Sequence, residues 1–154
     1  MPARSFARAE RRRPAGDNSV RTAGADPHSA CPCGSGLHYR ECCEPLHDGA
    51  PAPTAQALMR SRFSAFVVGD EDYLFRTWHP RTRPEGPYCD PQVAWDSLEI
   101  CECEAGGVDD DEGIVEFIAH YRGVVPGGEV RSGTMRERSR FERRAGRWVY
   151  LEAI

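Results

Sequence analysis

Apolar residues follow a helical period in the middle of the chain, between residues 55 and 78. From Ala55 to Val68 this period predicts an amphipathic helix, with Thr54 as its N-cap and Gly69 after its last turn. Asp70 can cap a second, shorter helix that reaches about Trp78 and stops before Pro80. The buried stripe predicted for the first helix consists of Ala55, Met59, Phe63, Phe66 and Val67.

Beyond Val93 the period of the apolar pattern changes to two, which is typical of half-buried strands. Four strands are predicted, and glycine, proline or acidic residues fill the turns between them. They run from Val93 to about Glu104, from Gly113 to Gly123, from Met135 to Phe141 and from Arg147 to Ile154. Two helices followed by an antiparallel meander predict an α+β domain, in which the helices pack on one side of a curved sheet.

The third predicted strand carries different residues on its two faces. Alternation places Glu137 and Ser139 on the inward face of this strand. Because a buried carboxylate must be paired or neutralised, we expect Arg62 or Arg76 to supply a partner for Glu137. The opposite, outward face carries Arg136, Arg138 and Arg140.

A candidate pocket follows from these inward residues and from the end of the second helix. It would be lined by Trp78, His79, Glu137 and Ser139. A His120–Glu137 pair for proton transfer is conceivable. Alternation, however, turns His120 away from the core row, so an exposed strand histidine is the preferred interpretation.

Four cysteines near the N-terminal third carry the strongest chemical signal. Cys31, Cys33, Cys42 and Cys43 follow the spacing C-x-C-x8-C-C, which offers the all-sulfur shell that structural zinc prefers. Disulfides within either pair are disfavoured, since the partners are adjacent or one residue apart. His47 is an alternative fourth ligand, and the preferred interpretation makes it a solvated loop histidine.

The other thiols and the composition limit the compartment and the class of protein. Cys89, Cys101 and Cys103 are predicted to be small buried apolar residues, with a second metal or redox site as the alternative. Seven cysteines exclude a complete disulfide framework, and a thiolate site suits a reducing cytoplasm.

No apolar run approaches the length of a membrane span. The net charge of −4 argues against a general nucleic-acid coat.

Residues 1–29 form a segment of different composition. The segment contains six arginines and almost no large apolar residue, so we expect a disordered, Arg-rich tail. Weak binding of RNA or of an acidic partner through these arginines is the functional alternative to a solvated tail.

The run CPCGSGLHYRECC resembles the SEC-C motif, a short zinc module that also ends the SecA translocation ATPase. The resemblance implies that Cys31, Cys33, Cys42 and Cys43 bind zinc. It also implies that Tyr39 and Arg40 lie on the exposed, basic-aromatic side of the motif, and that the module has protein partners.

The order of two helices, a loop and four strands is also that of a nuclear transport factor 2-like cone. The stretches ALMRSRFSAFVVGDEDYLFRTWHP, DDDEGIVEFIAHYR and ERSRF resemble the YchJ-type bacterial family, in which a SEC-C motif precedes such a domain. The resemblance implies a SEC-C module over residues 30–49 and a cone domain over residues 50–154. Cone domains often pair through their sheets, so a homodimer is a further expectation.

Two functions from different classes follow. The first is a cytoplasmic zinc-binding adaptor that docks a protein, of a chaperone- or ribosome-associated kind, through its SEC-C motif. The second is a small enzyme or small-molecule binder that uses the cavity of the cone, with Glu137, His120 or His79 as acid or base. We favour the first, non-enzymatic function, because a fold by itself does not identify a reaction.

Overall fold

The computed structural model describes residues 26–154 of the chain. The expected disordered tail, residues 1–29, therefore lies outside the described residues apart from residues 26–29. A short 3-10 turn, Tyr39–Glu41, lies between the two cysteine pairs. The helices are α1 (Glu44–His47), α2 (Ala55–Val68) and α3 (Glu71–Arg76). The strands are β1 (Val93–Ala105), β2 (Glu112–Val124), β3 (Val130–Arg144) and β4 (Arg147–Ala153).

Helix α2 begins and ends where its capping residues predict. The Thr54 side chain accepts a hydrogen bond from the backbone N–H of Ala57 at 3.0 Å, and Gly69 takes the left-handed conformation with φ of 76°. Asp70 likewise caps α3. This helix stops at Arg76 rather than near Trp78, because the next backbone groups bond to β4: Tyr150 N–H donates to the Thr77 carbonyl at 2.8 Å.

The four strands form one antiparallel sheet in the order β1-β2-β3-β4, which confirms the predicted α+β meander. Strand β3 is longer than predicted, since its pairing with β2 continues to Val124 and Val130 beside the turn. Register shifts interrupt β1 between Trp95 and Ser97 and between Ile100 and Glu102. Such bulges bend a strand and increase its twist, which curves the sheet around the helix.

The main core lies between α2 and the inner face of the sheet. Val115, Phe117 and Ala119 of β2 face inward as predicted, and Phe63 of α2 is fully buried against this layer. The buried part of α2 is nevertheless wider than the predicted stripe. It includes the polar residues Ser61, Arg62 and Ser64. The cysteine segment, residues 30–49, covers α2 on the side of Ser61 and Ser64, whereas Arg62 is buried by its contacts with α3 and the residue after it.

The outer face of the sheet carries charges of both signs. Arg136, Arg138 and Arg140 point outward, as predicted. Arg138 alone contacts three carboxylates, and these belong to Glu102, Glu104 and Glu116. Such exposed ion pairs contribute little stability each, but they neutralise the arginine row within the chain. Within residues 26–154, no helix has both the length and the apolar character needed to cross a membrane.

A close backbone approach fixes the start of α2 against the turn between β1 and β2, and Gly113→Ala tests it. A β-carbon at Gly113 would lie 2.5 Å from the Cα of Gly106 and 3.1 Å from the Cβ of Ala55. We expect this substitution to lower the free energy of unfolding by about 1–3 kcal/mol, because the backbone must shift.

Gly123→Ala is the matched control, since Gly123 lies on the same strand and its added carbon would meet no atom closer than 3.8 Å. Its effect should stay within about 0.5 kcal/mol. Urea unfolding followed by circular dichroism measures both variants. Equal losses in the two would contradict the close approach at Gly113.

Candidate metal centre and buried carboxylate

The four sulfur atoms of Cys31, Cys33, Cys42 and Cys43 lie within 4.8 Å of one another. The Cys33–Cys42 and Cys42–Cys43 sulfur separations are 3.6 and 3.9 Å. A tetrahedral ion with metal–sulfur bonds of about 2.3 Å separates its ligands by about 3.8 Å. The cluster therefore has the geometry to hold one four-coordinate metal ion.

The backbone of residues 31–42 builds this cluster from local turns. The Cys31 amide donates to the Leu37 carbonyl at 2.8 Å, which closes a tight loop around the first cysteine pair. Gly34 adopts a positive φ of 80° within that loop. The Ser35 hydroxyl donates to the Cys42 sulfur at 3.2 Å, so the loop also orients a thiol of the second pair.

The thiols of the cluster differ in their affinity for protons. Hydrogen bonds from Cys31 and then Cys43 lower the pKa of the Cys33 thiol far below its ordinary value. Burial raises the pKa of Cys42 to about 11, and hydrogen bonding with Cys31 raises the pKa of Cys43. Because metal ligation requires thiolates, metal binding at this cluster would release protons.

The cluster faces helix α2 rather than solvent. The Ser64 hydroxyl donates to the Cys43 sulfur at 3.4 Å and lies 3.6 Å from the Cys31 sulfur. The Arg60 guanidinium donates to the Cys33 carbonyl at 2.7 Å. These three cysteines are buried, and only Cys42 is partly exposed. The side chains of α2 thus supply an outer layer of contacts around the thiols.

His47 corrects two expectations from the sequence. It is buried rather than solvated: its Nε2 donates to the Ser61 carbonyl at 2.8 Å, and its Nδ1 lies 2.6 Å from the Tyr39 hydroxyl. Burial lowers the pKa of His47, which favours this neutral form. Because both ring nitrogens are engaged, His47 has none left for a metal ion. Tyr39, expected on the exposed side, is buried against it, whereas Arg40 is exposed.

The inward carboxylate of β3 is buried, as expected, but its partners are hydroxyls. Ser139 and Tyr150 both donate to Oε1 of Glu137, at 2.7 and 3.0 Å. Oε2 of Glu137 is buried and has no hydrogen-bond partner within the described residues. Burial raises the pKa of Glu137 above its ordinary value of 4.5, so the environment favours the protonated acid.

The expected ion pair of Glu137 with an arginine is wrong for both candidates. Arg62 is buried between the rings of Trp78 and Tyr150, each 4.9 Å from its guanidinium carbon, and donates to the Thr77 hydroxyl at 2.7 Å. Arg76 instead pairs with Asp72. Aromatic faces and neutral oxygens stabilise the Arg62 charge, so no carboxylate is needed within 4.0 Å of it.

A small cavity of about 10 Å³ lies beside Glu137 and has room for about one water molecule. Its lining includes Ser139 and two residues that the candidate pocket lacked, Arg62 and Tyr150. The inward position of Tyr150 on the last strand was the signal that could have identified it. The structure brings Glu137 and Ser139 together here.

The other two candidate pocket residues lie outside this cavity. Trp78 packs on Tyr88 and Tyr150 with ring centroids 5.2 Å away in both cases. Nε2 of His79 lies 2.9 Å from a carboxylate oxygen of Glu142. Both residues follow the end of α3, and neither lines the cavity beside Glu137.

The remaining candidates lie at the surface of the sheet. His120 contacts Glu99 on the outer face, as the alternation predicted, and forms no pair with Glu137. Cys101 and Cys103 were expected to be buried and are exposed. Cys101 is the unpaired residue of the second bulge in β1, which lies at the edge of the sheet, so neither packing nor pairing covers it.

Comparison with known proteins identifies two matching families. Residues 54–153 match the family described as YchJ, middle NTF2-like domain. Residues 29–45 match the SEC-C motif. The two matches together cover the cysteine cluster, the helices α2 and α3 and the whole sheet.

Curated relatives match most of the chain. A UPF0225 protein of Streptomyces coelicolor is 50% identical over 127 residues, which are 82% of this chain and 95% of that protein. A UPF0225 protein of Chromobacterium violaceum is 49% identical over 131 residues, with 82% and 93% of the two chains covered.

Solved structures give the same result. The solution structure of a SEC-C motif containing protein from Rhodopseudomonas palustris has a TM-score of 0.65 and 33% identity, and covers 80% of this chain and 96% of that one. The crystal structure of a SEC-C motif containing protein from Psychrobacter arcticus has a TM-score of 0.57 and 25% identity, with 79% and 80% covered.

Glu137→Gln tests the protonation of the buried carboxyl. Because burial raises the pKa of Glu137 in the folded state, the folded protein holds this proton more tightly than the unfolded chain does. The stability that protonation contributes is full below the unfolded pKa and is lost as the pH rises through the folded pKa. We therefore expect the free energy of unfolding of the wild type to fall relative to the variant as the pH increases above 4.5.

Urea unfolding of both proteins at a series of pH values measures this difference. The Gln side chain retains an oxygen that can accept from Ser139 and Tyr150, so the variant should fold. Parallel stability curves for the two proteins would contradict the raised pKa.

Proposed function

This chain belongs to the YchJ family with its NTF2-like middle domain, and we propose that it is a zinc-binding adaptor that docks a protein partner through its SEC-C motif. The observation that carries the proposal is the grouping of four sulfur atoms within 4.8 Å of one another inside that motif. Thiolate sulfurs in a closed four-coordinate shell favour zinc over the harder cations. Thiolates persist in a reducing compartment, so we place the adaptor in the cytoplasm.

Zinc at this site would be structural. Cys31, Cys33, Cys42 and Cys43 would hold the ion and leave it no open position for a substrate. The bound ion would supply a cross-link between the two ends of the motif. Ser64 and Arg60 of α2 bond to two of the cysteines that would bind the ion. The cross-linked motif would therefore be held rigidly on the NTF2-like domain.

We assign docking to the exposed short loop of residues 34–38, which we name the SEC-C loop. Its side chains are exposed, because the thiols of the cluster face α2. Leu37 is the large apolar residue of this loop and is 50% exposed. Arg40 follows the loop after the buried Tyr39 and is exposed as well. An exposed apolar side chain and an exposed positive charge in one short segment suit a partner with an apolar contact residue and acidic neighbours.

The alternative function, a small enzyme or ligand binder within the cone, is supported by the unpartnered Oε2 of Glu137. The adjoining cavity, however, has room for about one water molecule. The adaptor therefore remains the proposed function, and Glu137→Gln separates the two functions. This variant should retain the partner of an adaptor and lose the turnover of an enzyme.

Zinc content and its coupling to α2 give a direct test. We expect one zinc ion per chain in the purified protein and none in a Cys42→Ser/Cys43→Ser variant. Removing zinc with a chelator should also lower the hydrogen-exchange protection of α2, because the metal-bound cysteines contact this helix.

The control variant Cys101→Ser/Cys103→Ser removes two exposed thiols outside the motif and should keep its zinc. Elemental analysis and exchange mass spectrometry measure the two quantities. A chain that binds no zinc, or equal zinc loss in both double variants, would overturn the proposed site.

Docking is tested by capture from a bacterial lysate with the wild type, Leu37→Asp and Glu137→Gln as baits. We expect a protein partner that wild type and Glu137→Gln retain and Leu37→Asp loses, since the charge removes the apolar contact of the SEC-C loop. Val108→Asp is the matched control, because Val108 is also exposed, at 65%, in the turn after β1. Zinc content verifies that each bait is folded. Partners bound equally by all four baits would contradict docking through this loop.

A further inference from the structure

A second cavity, of about 200 Å³, lies where the segment after the SEC-C motif crosses the NTF2-like domain. Its lining comes from residues 50–52, from α2 and α3 and from the first residues of β4. It shares no lining residue with the cavity beside Glu137. The cavity thus belongs to neither the cysteine cluster nor the cone interior.

The floor of this cavity is apolar. It consists of side chains that are themselves buried in the domain, namely Leu58, Tyr73, Trp148 and Val149. The Trp148 indole N–H is directed to the Pro53 carbonyl at 3.4 Å, which holds the ring in place. These side chains leave only small areas exposed, and the exposed Pro51 completes an apolar wall that can contact the hydrocarbon part of a small molecule.

Two arginines complete the lining, and both are exposed. Arg147 donates from Nη1 to the Gly49 carbonyl at 3.0 Å and makes no ion pair with any of residues 26–154. Arg76 donates to Asp72 at 3.1 Å and to the His47 carbonyl, and its guanidinium carbon lies 4.7 Å from the centre of the Tyr73 ring. Both guanidinium groups are therefore positioned, and each keeps N–H donors that these contacts do not use.

We propose that this cavity binds a small organic carboxylic acid, with its apolar body on the Leu58–Tyr73–Trp148 floor and its carboxylate at Arg76 and Arg147. Guanidinium groups present paired N–H donors that match the two oxygens of a carboxylate. The single carboxylate partner of the two arginines, Asp72, leaves a positive charge for a ligand to balance. The cavity volume limits the ligand to a body of about one ring or a short alkyl chain.

The same contacts connect this site to the SEC-C motif. Arg76 and Arg147 bind the carbonyls of His47 and Gly49, which belong to the segment that leads out of the motif. A carboxylate at the two arginines would therefore alter how this segment is held. The site goes beyond the proposed docking function and does not require it.

Binding is tested by calorimetry and by NMR titration of the zinc-loaded full chain. The probes are benzoate, phenylacetate and hexanoate, with acetate, benzamide and inorganic phosphate for comparison. We expect at least one of the first three to bind saturably and more tightly than all of the comparison compounds. Acetate lacks the apolar body, benzamide lacks the charge and phosphate lacks both the apolar body and the carboxylate.

Arg147→Gln should weaken that binding about tenfold, because charged hydrogen bonds to the carboxylate are lost. Arg131→Gln removes an exposed arginine near the start of β3, which does not line the cavity, and should leave the affinity unchanged. Ala50→Trp keeps both arginines and adds a large ring at an exposed lining position, so it should also reduce binding. Zinc content and thermal unfolding verify the fold of each variant.

Three results would overturn the proposal. The first is that none of the three apolar acids binds. The second is that acetate, benzamide or phosphate binds as tightly as they do, which would indicate a general anion or apolar contact. The third is that Arg131→Gln weakens binding as much as Arg147→Gln.

Discussion

Helix α2 must be buried on two sides at once, and the rest of the described chain depends on how this is achieved. On one side its apolar residues, such as Phe63, pack on the inner face of the sheet. On the other side it carries Arg60, Ser61 and Ser64, whose polar groups would be costly to bury without partners. The cysteine segment supplies the Cys33 carbonyl to Arg60 and the Cys43 sulfur to Ser64, and the His47 ring donates to the backbone carbonyl of Ser61. The Ser61 hydroxyl itself bonds to the Leu58 carbonyl and the Tyr73 hydroxyl. The helix and the motif therefore complete each other's hydrogen bonds.

The SEC-C motif is packed on the NTF2-like domain by these hydrogen bonds. A module attached only through a flexible linker would present all of its surface to a partner, whereas here the cluster is turned toward the domain. The SEC-C loop is exposed on this ordered base, and a preordered loop would lose less entropy than a flexible one if it bound the proposed partner. The His47–Tyr39–Tyr73 contacts extend the attachment beyond the thiols. If the proposed zinc ion is bound, its removal is thus expected to affect both the motif and the NTF2-like domain.

Charged side chains have different partners on the two faces of the sheet. On the outer face, Arg138 and its glutamate partners remain in contact with water, so the ion pairs cost little and contribute little. On the inner face, Glu137 is held by neutral hydroxyls and Arg62 by aromatic rings, without an ion pair between them. A carboxyl group in such surroundings favours its protonated form, and this is why its pKa is raised. The interior therefore contains an acid whose charge depends on pH and, lining the same cavity, the buried Arg62.

The sequence by itself determined the elements that local physics controls. Thr54 and Gly69 set the two ends of α2, the period-two pattern located the four strands, and the spacing of the cysteines brought four thiols together. Only the tertiary structure decided which polar residues lie inside. His47 is buried because α2 contacts it from a distant part of the chain, and Tyr39 packs on His47. Cys101 was expected to be a small buried apolar residue and is exposed, because it lies unpaired in a bulge of the edge strand β1. Periodicity describes how residues alternate along one segment, whereas burial depends on which segments meet across the fold.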